Sequence, residues 1–114
     1  MGKITEIEWS DFTKVEMRVG TILTAEVFKE VRNPAYKMTI DFGEFGTRKT
    51  SAQITKKYQP EELIGKQIVA VVNFPPKQIA TMMSECLVMG VVGNEGEVTI
   101  ISPDLKVENG MRIG

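Results

Sequence analysis

Hydrophobic and polar positions alternate with a period of two along much of this chain, the spacing of strands with one buried face. The clearest run is "YKMTIDFG", with Met38, Ile40 and Phe42 on one side and Lys37, Thr39 and Asp41 on the other. Upstream, Val15, Met17 and Val19 alternate with Glu16 and Arg18; Gly20 interrupts, and the pattern resumes through Ile22 and Val27. A glycine inside a long strand marks a bend or bulge, as at a barrel corner. "GEFG" predicts a turn, and a third strand follows over Thr47–Ala52. Gln67–Phe74 is apolar almost throughout and predicts a central fourth strand; Cys86–Val92 predicts a fifth. "GNEGE" reads as a turn, "VTIIS" as another strand and "LKVENGMRIG" as a hairpin-like tail.

Helical signals are few. Asp11 is a good N-cap for a single turn over Phe12–Lys14. "QPEELIGK" reads as a short helix, with Pro60 at its start, Glu61 and Glu62 in its first turn and Gly65 as its stop. "VRNPAY" and "PPKQIATMMSE" read as loops. Three strands, a short helix and two strands follow the chain order of a small Greek-key barrel. The expected fold is all-β: a five-stranded antiparallel OB-fold barrel with one short helix and terminal extensions, forming one domain over residues 1–114. A different small barrel or a sandwich fits the same pattern.

Composition narrows the chemistry. The chain has 114 residues, 42% hydrophobic and 25% charged, ordinary for one soluble domain. Its longest apolar stretches, "IVAVVNF" and "LVMGVV", are too short to span a membrane, and the acidic "MGKITEIEWSD" does not fit a signal peptide. A cytoplasmic location is expected, and the single cysteine agrees with it. There is no histidine, which removes the commonest general base and metal ligand. Cys86 lies in the apolar run "ECLVMGVV" without a basic neighbour and is expected to be inert packing. The acidic pairs Glu61/Glu62 and Glu95/Glu97 sit in a helix start and a polar turn. "GEFGTRKT" lacks the Gly-Lys-Ser/Thr ending of a phosphate loop. No enzyme, metal or cofactor is expected.

Charge is unevenly placed. From Arg48 to Lys77 six basic residues (Arg48, Lys49, Lys56, Lys57, Lys66, Lys77) face two acidic ones, in a chain whose net charge is −1. Lysines beside Tyr58 and Phe74 offer phosphate contacts next to stacking surfaces. The same lysines also fit a solvated face, and the Tyr58 ring also fits an anchor that ties the short helix to the barrel.

The strings "DFTKVEMRVGTI", "SAQITKKY", "IGKQIVAVVNFPPKQIA", "SECLVMG" and "NGMRIG", in this order from Asp11 to Gly114, resemble the CsaA family. Those are small export-related chaperones built on a tRNA-binding-type OB fold. A more distant similarity runs to the tRNA-binding domain of bacterial methionyl-tRNA synthetases. The resemblance implies a homodimer joined partly through its terminal segments and no catalysis. It implies two kinds of ligand: tRNA, and unfolded or preprotein peptides. Ser51, Gln53, Lys56 and Tyr58 match the first signature, Asn73, Pro75, Pro76 and Lys77 the second, and Ser84 and Glu85 its closing pair. Where relatives tend to carry a second basic residue and a glycine, this chain has Gln78 and Thr81, followed by Met82 and Met83. The missing cation weighs against RNA. The two methionines suit a promiscuous apolar surface, or packing under the loop or against a second subunit. The expected function is chaperone-like binding of peptides, with tRNA binding as the alternative. The candidate nucleic-acid residues are Arg48, Lys49, Ser51, Gln53, Lys56, Lys57 and Lys77. The candidate peptide residues are Phe74, Pro75, Pro76, Met82, Met83 and Ser84.

Overall fold

A computed structural model describes residues 2–114. Helix α1 spans Trp9–Lys14, and the strands β1 (Met17–Val27), β2 (Tyr36–Asp41) and β3 (Thr47–Ala52) form an antiparallel meander. Helix α2 (Pro60–Leu63) leads into β4 (Gln67–Val71). Then come β5 (Lys77–Ile79), β6 (Met82–Ser84), β7 (Leu87–Val88), β8 (Gly90–Val92) and β9 (Val98–Ile100). The main sheet has the order β3-β2-β1-β4-β7, all antiparallel, and curls into a nearly closed OB-type barrel.

Strand β1 is long enough to serve both halves of the barrel. Met17–Thr21 pairs with β4, and Thr21–Val27 pairs with β2. The register slips between Ile22 and Thr24, the bulge expected near Gly20. Gly20 is buried, and a β-carbon there would lie 2.6 Å from Ile40 Cγ2 and 2.7 Å from the Phe42 ring. Only glycine lets β1 pass this close under the core. Along β2, Tyr36, Met38 and Ile40 point inward and Lys37, Thr39 and Asp41 outward, as the alternation predicts. With Ile22, Phe42, Ile54, Leu63, Ile68 and Ala70 they make the core.

Several elements differ from expectation. Helix α1 starts at Trp9, not Phe12, because Asp11 works from inside the first turn: its carboxylate accepts the Glu8 N–H at 2.9 Å. The segment "PPKQIATMMSE" is not a loop but carries the β5–β6 hairpin, turned by Ala80 at a φ of +50°. The fifth strand breaks at Met89. Its N–H goes to Val69 of β4 and its carbonyl accepts from Ile101, so the chain leaves the barrel there and continues as the β8–β9 ribbon. The tail forms one bridge, Arg18 with Arg112, rather than a hairpin. No helix among the described residues is long and apolar enough to cross a membrane.

The edges of β3 and β7 meet without a strand ladder. Side chains hold this seam: Thr50, fully buried, donates to the Cys86 carbonyl at 2.8 Å, and the Glu85 carboxylate accepts the Lys49 N–H at 2.9 Å. One main-chain bond, from Glu85 N–H to the Lys49 carbonyl at 2.8 Å, joins them.

Candidate binding groove beside the barrel seam

After β4 the chain stays buried through Val72 and then turns out at Asn73. The Asn73 amide holds the turn: its oxygen accepts from Glu16 N–H at 3.0 Å and its nitrogen donates to the Lys14 carbonyl at 2.6 Å. Phe74 and Pro75 are thereby presented at the surface, and the β5–β6 hairpin folds back over β3. Between them lies a groove of about 500 Å³, lined by Ser51, Phe74, Pro75, Lys77, Ile79, Ser84, Glu85, Cys86 and Leu87. Phe74 is 55% exposed and Leu87 50%.

Of the expected site residues, this groove brings together Ser51, Phe74, Pro75, Lys77 and Ser84. Ser84 reaches the seam, its hydroxyl 3.3 Å from that of Thr50. Pro76 is exposed outside the groove. Met82 and Met83 part company, because neighbours on a strand face opposite ways. Met82 is half-buried and lines a separate cleft with Lys37, Thr39 and Lys49; Met83 is exposed. Gln53 lies at the far end of β3, beside Arg32 and Asn33.

The basic residues do not form one patch. Arg48 turns inward, where its Nη1 donates to the carbonyls of Val72 at 2.8 Å and Glu85 at 3.3 Å. It closes the barrel end rather than facing solvent. Lys49 and Lys77 are exposed on either side of the hairpin. Lys56 and Lys57 are also exposed but lean on the β8–β9 ribbon: Lys56 Nζ donates to the Glu95 carbonyl, and Lys57 Nζ to the Thr99 hydroxyl at 2.6 Å. Tyr58 packs against the core and accepts the Ile100 N–H at 2.9 Å, while its carbonyl accepts from the Tyr36 hydroxyl at 2.7 Å. It is an anchor. The strand end at "SAQITKKY" therefore clamps the ribbon to the barrel.

Ile79, Glu85, Cys86 and Leu87 complete the groove and were not among the expected site residues. The alternation of "SECLVMG" carried a signal, since it sets Leu87 on the face opposite Cys86. Cys86 is buried, and burial raises its thiol from 9.0 to about 11, against smaller lowering effects of Thr50 and Arg48. Because the folded form favours the neutral thiol, its contribution is complete below pH 9 and fades as pH rises towards 11. Relative to Cys86→Ala, the protein is expected to lose about 2–3 kcal/mol of stability between pH 8 and 11. Urea unfolding of both proteins across that range checks this, and parallel curves would refute it.

The family model of a tRNA binding domain matches residues 17–112. The crystal structure of chaperone CsaA from Bacillus anthracis str. Ames is 50% identical, covers 96% of this chain and 100% of that one, and superposes with a TM-score of 0.92. The chain belongs to the CsaA family of tRNA-binding domains. The CsaA chaperone protein from Picrophilus torridus is 48% identical over 96% of this chain and 100% of its own, with a TM-score of 0.89. The similarity extends to the methionine–tRNA ligase of Bdellovibrio bacteriovorus, 32% identical over 95% of this chain; the chain spans 16% of that ligase's length. What CsaA proteins and these ligases share is thus a binding domain, not a catalytic one.

Proposed function

We propose that this protein is a CsaA-like, export-related molecular chaperone that binds unfolded or preprotein segments and catalyses no reaction. The groove carries this reading. Its Phe74, Pro75, Ile79 and Leu87 side chains offer apolar surface that a folded chain would otherwise bury, and Ser51 and Ser84 add uncharged hydrogen-bonding groups. The CsaA structures from Bacillus anthracis and Picrophilus torridus are named chaperones, which supports it. In this reading residues 1–114 act as one domain in the cytoplasm, as a homodimer. Ile4, Ile7, Trp9, Leu105 and Met111 are all more than half exposed in the single chain, and a second copy would cover them with Val107 and Ile113. Light scattering should find the dimer at micromolar concentration; a monomer would remove this part of the proposal.

The tRNA reading rests on the family model and on the exposed Lys49, Lys56, Lys57 and Lys77. One preparation, titrated with an unfolded apolar peptide and with a tRNA pool across a salt series, separates the two. Peptide affinity should hold or rise with salt, whereas tRNA affinity should fall steeply. If the peptide does not bind at any salt, the chaperone reading fails. Lys56→Ala with Lys57→Ala should flatten the tRNA salt slope by up to about two units if both reach phosphates. An unchanged slope would leave these lysines as clamps of the β8–β9 ribbon alone.

A further inference from the structure

Beyond Leu87 the chain carries an unprotected strand edge. Leu87 pairs with Val71, Val91 with Thr99, and Met89 bonds to both Val69 and Ile101. Gly93 N–H donates to the Glu97 carbonyl at 2.7 Å. These alternate residues use their main-chain groups on β4 and β9. The intervening Val88, Gly90 and Val92 must therefore direct theirs to the opposite side. Opposite Val88 the end of β3 already lies close, across the seam. Opposite Gly90 and Val92 no strand of the described residues is paired, because the ladder of β8 is with β9. Among the described residues, no side chain or main chain outside the ladders bonds to these three. Edges of this kind are normally guarded by charge or proline. The stretch Leu87–Val92 has neither, and Val91 and Val92 are 62% and 72% exposed.

This edge borders a cleft of about 400 Å³ whose far wall is the end of β3 and the residues after it, Ser51 to Ile54, with Val98 below. Among the described residues, none that lines it is charged. Ser51 and Leu87 line both this cleft and the Phe74 groove, so the two adjoin across the β3–β7 seam. We infer that an unfolded, uncharged polypeptide segment docks here as an added β-strand, pairing its backbone with Gly90 and Val92 along the open edge of β8. The inference rests on the chaperone reading and adds how the ligand is recognised. Main-chain pairing is indifferent to sequence, and the alternating apolar contacts ask only for uncharged side chains. A phosphate backbone would find no cation in the cleft. A second barrel would bring its whole sheet to a space walled on its far side by the end of β3. At about 3.3 Å per residue, the Gly90–Val92 edge pairs about three residues of ligand.

The test uses a valine- and threonine-rich peptide with lysines at its ends for solubility, and the same peptide N-methylated at alternate residues. The methylated peptide keeps its side chains and loses its donors. It should bind about tenfold or more weaker. Val92→Pro removes an edge donor that no ladder uses, and should weaken the unmethylated peptide about fivefold or more. Amide exchange at Gly90 and Val92 should slow when the unmethylated peptide is added. If both peptides bind alike and those amides exchange unchanged, the strand pairing is wrong while the chaperone reading stands. If neither peptide binds, both fall. If Val92→Pro alters the association state of the free protein instead, the edge serves a second copy. If it weakens only tRNA, the edge serves RNA. Either outcome overturns the inference.

Discussion

Phe42→Ala is expected to lower the unfolding free energy by about 3–5 kcal/mol. Phe42 is fully buried, and its ring lies directly over Gly20, the point where β1 passes closest under the core. Removing the ring empties a space that β1 cannot fill, because the glycine below has no side chain to relax into it. Against a total of about 5–15 kcal/mol for a domain, such a loss leaves little margin. Gly20→Ala should itself cost about 1–3 kcal/mol, because its new methyl meets Ile40 and Phe42 well inside contact distance. The two changes occupy the same space, so they should not add. In the Phe42→Ala background the glycine replacement should cost much less. Urea titrations of the two single variants and the double variant decide this; strictly additive losses would mean that ring and glycine are independent.

The second large effect concerns binding. Phe74→Ala with Leu87→Ala should weaken an apolar peptide about 30–300-fold, roughly 2–3.5 kcal/mol. Both side chains are half exposed in the free protein and become covered only when the groove is filled. For the same reason the double variant should lose less than about 1 kcal/mol of stability. Peptide titration calorimetry and urea unfolding on the same protein separate the two quantities. Undiminished affinity in a folded variant would remove the groove from the proposed function.

Much of this was legible in the sequence where one local rule governed. The "YKMTIDFG" alternation predicts the inward face of β2, and "GEFG" fixes the start of β3 at Thr47. Pro60 and Gly65 bracket α2, and Gly65 takes a φ of +90° that suits glycine. What was not legible depended on distant partners. Two prolines and no hairpin-type dipeptide hid β5 and β6, which exist because Lys77–Ile79 and Met82–Ser84 pair across an alanine in an unusual conformation. The break at Met89 has no local cause; it follows from Val69 and Ile101 each taking one of its main-chain groups. The basic cluster reads as a single patch along the chain. In space Arg48 is held by two carbonyls, and Lys56 and Lys57 reach to residues 39 and 42 positions away.

The side-chain seam has a consequence for the order in which the protein assembles. The meander is complete once Ala52 exists, since β1, β2 and β3 need only each other along their shared edges. The bonds of Lys49 with Glu85 and of Thr50 with Cys86 join positions 36 apart, and close a loop holding α2, β4 and the hairpin. Such closure comes late, after local pairing has reduced the chain's freedom. Thr50→Val should therefore speed unfolding and leave the folding rate almost unchanged; stopped-flow chevrons would show otherwise if the seam were part of the nucleus. On a ribosome, a nascent chain that stops short of Glu85 would have its meander but neither seam nor complete groove, and so, in the proposed reading, could not yet hold another unfolded chain.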